Sequence, residues 1–128
     1  KQYKIVLPLY PRTKKMIEQY HLQLDCIVIE PVGYFDMLSL LKHCHMVLTD
    51  SGGLQKEAYF FHKHCVTLRD QTEWVELTTA GCSTITGANK EKIMGAVASY
   101  YDKEFRNGSV FYGDGHAAEI ITKHLASI

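Results

Sequence analysis

The sequence predicts an α/β fold: a Rossmann-like parallel sheet with helices on both faces. Three observations carry that prediction. Short β-branched runs alternate with helical patterns almost without interruption, which requires crossover connections and therefore parallel strands. The runs KIVL, CIVI and MVLT are nearly continuous rather than alternating, as strands covered on both faces are. Only three prolines and no Ser/Gly-rich linker interrupt the 128 residues, so 1–128 reads as one domain with one core.

The elements follow in order. The run KIVL places a strand at Lys4–Leu7, and the helical pattern after it spans Arg12–Tyr20. CIVI gives Cys26–Ile29, followed by a helix over Tyr34–His43. MVLT gives Met46–Thr49, with a helix over Leu54–Phe61 beyond the glycines. The apolar run at Cys65–Leu68 precedes a helix at Trp74–Ala80, and Ser83–Ile85 is the last strand. Two longer patterns close the chain as helices, about Lys90–Tyr101 and Gly115–Ala126. The second should pack across the domain, because its apolar residues recur at helical spacing.

Bulk properties narrow the function. Apolar residues make up 46% and charged residues 22%, with fourteen basic against fourteen acidic side chains. That balance, without a basic block, argues against non-specific nucleic-acid binding. No apolar run approaches the roughly 20 residues of a membrane span. Cys26, Cys44, Cys65 and Cys82 are widely spaced beside apolar residues, the usage of buried free thiols in a reducing compartment, so a cytoplasmic location is expected. The chain opens on Lys1 within a strand-like run and without a signal-peptide pattern, and the expectation is a segment of something longer.

Ligands of such sheets bind beyond the carboxyl ends of the strands. The segment MVLTDSGGLQKEAYFF, residues 46–61, is therefore the place to look. Gly52 and Gly53 suit a sharp turn and a close backbone approach, lacking Cβ and tolerating positive φ. The first N–H groups of the following helix are unpaired and favour an anion, and Ser51 adds a hydroxyl. This is a phosphate cradle without the Lys-Ser/Thr of a Walker motif. The plainer alternative is a tight turn with Asp50 or Ser51 as N-cap. A phosphate repels a carboxylate, so a ligand-facing Glu57 should meet neutral hydroxyls. Phosphate donors followed by a carboxylate for a diol describe the ribose-phosphate part of a nucleotide.

The blocks LTDSGGLQKEA, TLRDQTEWVEL and YGDGHAAEII, with AG and TG between them, closely resemble the C-terminal half of the non-hydrolysing UDP-N-acetylglucosamine 2-epimerases. The resemblance runs from LPLYPRT to the last helix. It implies a two-domain GT-B-type fold, of which this chain is the C-terminal UDP-binding part. Interconversion of UDP-GlcNAc and UDP-ManNAc is implied, by C2 deprotonation, UDP elimination and re-addition, without a cofactor. It further implies a cytoplasmic homodimer serving cell-surface polysaccharide biosynthesis. By the same resemblance Ser51, Gly52 and Gly53 bind the diphosphate and Glu57 the ribose. Met37, in PVGYFDM, lies where the family packs on uracil, and Arg12 is among the UDP-binding positions. Arg69 and Glu73 match positions lining the cleft near the diphosphate and sugar. Alternatives are a UDP-sugar glycosyltransferase of GT-B fold and a non-catalytic nucleotide-sugar binding module.

Two departures stand out. Tyr10 occupies the place of a family histidine, and an unperturbed tyrosine, with a pKa near ~10, does not replace histidine as acid or base. The family's leading strand and its HRREN-type loop are missing, as is the N-terminal domain with its carboxylates. By Rossmann order the missing strand lies between Lys4–Leu7 and Met46–Thr49, and this chain alone should be inactive. The clusters KHCH (42–45) and HKHC (62–65) suggest zinc, but consecutive residues fit tetrahedral geometry poorly. Helix C-terminal histidines are the preferred reading, and no metal is expected. The GDG at Gly113–Gly115 reads as a turn with Asp114 near the start of the closing helix, and VASYYDKEF as a core-facing helix.

Overall fold

The computed structural model describes residues 4–106 and 110–127. They group into two compact units, Lys1–His43 and Cys44–Ile128. Both are built from parallel strands and helices.

In the first unit β1 (Val6–Pro8) pairs with β2 (Ile27–Ile29), Val6 opposite Ile27 and Pro8 opposite Ile29. Pro8 lacks an N–H, which is tolerated because β1 has a partner on one side only within its sheet. Helix α1 (Pro11–Gln19) starts with a proline at its first turn, where the missing donor costs nothing. It ends in a Schellman cap: Leu22 N donates to Ile17 O and His21 N to Glu18 O, with His21 at φ 50°. Helix α2 (Tyr34–His43) has Asp36 in its first turn and Lys42 and His43 in its last, as the helix dipole favours.

The second unit carries a sheet of order β3-β4-β5: β3 (Met46–Thr49), β4 (His64–Thr67) and β5 (Ser83–Ile85). All four residues of β4 are buried, so both faces of the central strand are covered. On one face Val66 packs with Ala96 and Tyr100 of α5 (Lys90–Tyr101), flanked by Met46, Leu68, Ile93 and Val97. His64 shares that face and stacks on Tyr100, with ring centroids 4.1 Å apart and planes 8° off parallel. Cys65 and Thr67 point to the opposite face. The Tyr100 hydroxyl is satisfied by Thr84 Oγ1 at 2.6 Å. Helices α3 (Gly52–Phe60) and α4 (Val75–Thr79) connect the strands. Both end in Schellman caps, with His62 (φ 54°) and Gly81 (φ 72°) in the left-handed position.

Several expectations need correction. The strands expected at Lys4–Leu7, Cys26–Ile29 and Cys65–Leu68 shift by one or two residues, because hydrogen-bonded register rather than apolarity sets a strand's ends. Helix α1 starts one residue earlier, at Pro11. Helix α3 starts at Gly52, not Leu54, so both glycines lie inside it, and neither has positive φ. His64 is a buried strand residue, not a helix C-terminal one. Finally α6 (Ala117–Ala126) has no buried residue, and Ile120, Ile121 and Leu125 are exposed. Gly113 and Gly115, both at positive φ, turn the chain before it. Helical spacing foretold an apolar stripe but not a partner for it.

Candidate functional site

Where β3 ends, Thr49 Oγ1 accepts the N–H of Ser51 at 3.0 Å and starts the turn. Ser51 takes extended backbone angles and is the N-cap of α3, its Oγ accepting from Leu54 N at 3.4 Å. Its hydroxyl proton is left to donate outward. Gly52 and Gly53 are the first two helical residues, so their N–H groups have no intrahelical acceptor and sit at the positive end of the dipole. Such a terminus attracts an anion.

The loop after β4 comes onto this turn. Arg69 Nη1 pairs with Glu73 Oε2 at 3.0 Å, both side chains partly exposed. The other Glu73 oxygen lies against the Cα of Gly52, where any Cβ would overlap it. Gly52 thus sits under a close approach by the flexible end of Glu73, and its backbone angles do not call for glycine. In the same loop, Asp70 packs against Gly87, whose φ of 59° does call for glycine.

Beneath the glycines lies a polar network. Gln55 is only 1% exposed. Its Nε2 donates to Ser51 O at 3.3 Å, and its Oε1 accepts from Thr72 Oγ1 at 2.7 Å. Thr72 Oγ1 in turn accepts from Trp74 N at 3.2 Å, and Trp74 Nε1 donates to Gly52 O at 2.8 Å. Lys56 Nζ lies 4.7 Å from the Trp74 ring centroid and 4.5 Å from that of Tyr112, a cation–π arrangement.

The structure therefore brings Ser51, Gly52, Gly53, Arg69 and Glu73 together at one turn. Glu57 is one helical turn beyond Gly53 on the same side of α3, half-buried. Tyr10, Arg12 and Met37 belong to the other unit. Tyr10 is 49% exposed and is the N-cap residue of α1, without a side-chain cap bond. Arg12 is exposed in the first turn of that helix, and Met37 is half-buried in α2, two residues after the 83% exposed Phe35. Sequence reasoning gave no role to Gln55, Thr72 or Trp74. A glutamine sharing the buried side of α3 with Ala58 was the available signal.

The histidines of KHCH and HKHC are engaged separately. His43 Nδ1 donates to Ser39 O at 2.8 Å, and His45 Nε2 is 2.7 Å from Tyr101 O. The His62 ring lies beside Phe105. Among the described residues no three His, Cys, Asp or Glu side chains are placed to hold a metal. None of the four cysteines forms a disulfide, and burial pushes the Cys65 thiol up to about 11, which makes it a poor nucleophile at neutral pH. Asp114 Oδ1 accepts from His116 N at 3.1 Å, forming the turn expected before α6.

A family model described as UDP-N-acetylglucosamine 2-epimerase matches residues 1–126. The UDP-2,3-diacetamido-2,3-dideoxy-D-glucuronate 2-epimerase of Pseudomonas aeruginosa PAO1 is 48% identical over 97% of this chain and 35% of its own length. The crystal structure of the Methanocaldococcus jannaschii UDP-GlcNAc 2-epimerase in complex with UDP-GlcNAc and UDP superposes with a TM-score of 0.83 at 37% identity, over 98% of this chain and 36% of that one. A further structure of the M. jannaschii enzyme gives a TM-score of 0.87. The chain thus spans about a third of the length of the proteins it matches.

Proposed function

The chain belongs to the UDP-N-acetylglucosamine 2-epimerase family, and on that premise we propose that it is the UDP-binding part of such an epimerase, acting within a longer protein. Residues 1–128 are its C-terminal domain. The observation that carries the reading is the meeting of the DSGG helix start with Arg69 and Glu73 in one unit. Free N–H groups and a guanidinium supply positive potential for a diphosphate, as nucleotide binding requires. Ser51, Gly52 and Gly53 take the diphosphate and Glu57 the ribose hydroxyls. Met37 lies against uracil and Arg12 assists at the nucleotide. Arg69 and Glu73 line the cleft at the sugar. The reaction removes the C2 proton, expels UDP from C1, and reverses both steps with C2 inverted. Tyr10, in place of histidine, donates a hydrogen bond to a phosphate or sugar. The glycosyltransferase alternative gives way because the family match runs from residue 1 to 126. A homodimer in the cytoplasm, working in cell-surface polysaccharide biosynthesis, completes the proposal, and cysteines outside disulfides suit that compartment.

A second substrate is favoured by two observations. The Pseudomonas relative at 48% identity acts on a diacetamido-dideoxyglucuronate, and Tyr10 departs from the pattern of the GlcNAc enzymes. Incubating the full-length protein with each UDP-sugar and following C2 inversion and UDP release by NMR tests both readings. Turnover of neither sugar overturns the epimerase proposal, and turnover of one assigns the substrate.

A further inference from the structure

We propose that Gln55 and Trp74 are positioning residues of the anion cradle, each aiming one of the two glycine amides at the diphosphate. This rests on the UDP-binding reading above. In a trans peptide the C=O and N–H point in opposite directions, so holding the oxygen aims the hydrogen. The peptide joining Ser51 to Gly52 carries the Gly52 N–H, and its oxygen is held by Gln55 Nε2 at 3.3 Å. The next peptide carries the Gly53 N–H, and its oxygen is held by Trp74 Nε1 at 2.8 Å. One clamp serves each donor.

The cradle needs these clamps because of its own composition. Two consecutive glycines give up more backbone freedom on ordering than any other pair, and helix ends fray. Helical bonds alone hold such a start weakly, and a loosely held amide loses part of its advantage as an anion donor. The clamps are themselves fixed. The Thr72 hydroxyl accepts from Trp74 N and donates to Gln55 Oε1, which leaves the Gln55 NH₂ facing Ser51 O. The indole is held by Lys56 on one side and by an edge contact with Tyr112, with ring centroids 5.8 Å apart. Gln55 and Trp74 need not touch the ligand; they act through the backbone of Gly52 and Gly53.

The test is calorimetry on the full-length protein with UDP and with uridine, which shares the base and ribose but lacks the diphosphate. Trp74→Phe keeps an aromatic ring for Lys56 and Tyr112 and removes the N–H along with the smaller ring of the indole; the packing lost with that ring is read by the uridine arm. UDP should then bind about tenfold more weakly, the scale of one charge-assisted hydrogen bond, with uridine affinity held within about twofold. Thr72→Val, which frees the Gln55 amide to turn, should move the UDP-to-uridine ratio the same way. It carries the test by itself if Trp74→Phe does not fold. Unchanged UDP affinity, or equal weakening of UDP and uridine, overturns the positioning role and leaves Gln55 and Trp74 as ordinary packing. A wild-type protein that binds UDP no tighter than uridine overturns the cradle reading itself, a separate outcome.

Discussion

At the scale of single residues, the two tightly packed glycines make opposite predictions. A methyl at Gly52 meets only the far end of the half-exposed Glu73 side chain, which can swing away. Gly52→Ala should therefore keep the melting temperature or raise it slightly, since alanine favours a helix by roughly 0.5–1 kcal/mol. It should still weaken UDP by displacing Glu73 from its Arg69 pairing. Gly87→Ala must instead hold φ at 59° and should cost about 1–2 kcal/mol of stability. Thermal melts of both variants with UDP titrations check this, and a large stability loss at Gly52 would contradict it. His64 gives a pH prediction. Neither of its ring nitrogens meets a partner at good hydrogen-bond geometry, and burial, reinforced by the Lys103 charge, lowers its pKa from 6.5 against a weaker opposing pull from the Glu104 and Cys82 backbone. His45 adds a smaller effect of the same sign. The unfolded chain takes up the proton first, so stability is whole above about pH 6.5 and is lost as pH falls through and below that value. Urea midpoints at pH 7.5 and 5.5 should converge in His64→Phe relative to wild type. Equal acid losses in both proteins would rule His64 out as the cause.

At the scale of elements, helix ends decide more than helix interiors. Helix α3 stops at His62 in a conformation that glycine adopts freely and that costs another residue about 1–2 kcal/mol. His62→Gly relieves that strain at the expense of greater freedom in the unfolded chain, roughly 0.5–1 kcal/mol. A net gain on the order of 0.5 kcal/mol is expected, visible as a higher urea midpoint at unchanged slope. A loss would mean that the ring contact with Phe105 outweighs the backbone term. Asn89, whose Oδ1 accepts from Lys92 N at 2.9 Å, caps α5 and lies far along the chain from the cradle. Asn89→Ala should cost about 1 kcal/mol. UDP affinity should stay put, which separates loss of stability from loss of site.

At the scale of the whole molecule, burial is concentrated in the second unit, which also carries the proposed cradle. Its central strand β4 is buried along its full length, whereas Leu41 is the one buried described residue of the first unit. Amide exchange should accordingly be slowest in β4 and faster throughout residues 4–43. In the full-length protein UDP should bind more tightly than UMP, because the proposed cradle offers the amides of Gly52 and Gly53 to the second phosphate. Equal affinities measured by calorimetry would remove the cradle from the mechanism. Tyr10→His tests the other unit: activity maintained or raised makes tyrosine a simple replacement for the family histidine. A collapse would show that the hydroxyl is required.

The sequence by itself determined the α/β class, the order of strands and helices, and the family. Those rest on local signals: continuous apolar runs, glycines at a strand end, and the paired blocks TDSGG and RDQTE. It also marked the turn at Ser51 and Gly52, proposed above as the cradle, since a helix start after a strand is a local event. It could not supply the close approach at Gly52, which comes from Glu73 folding back over it. Nor could it give the clamps, because Thr72 reaches Gln55 and Trp74 reaches Gly52 only after the β4 loop comes alongside α3. The stripe of α6 was legible and its lack of burial was not, for the same physical cause. Periodicity is a property of one segment, whereas a contact belongs to two segments that the sequence keeps apart.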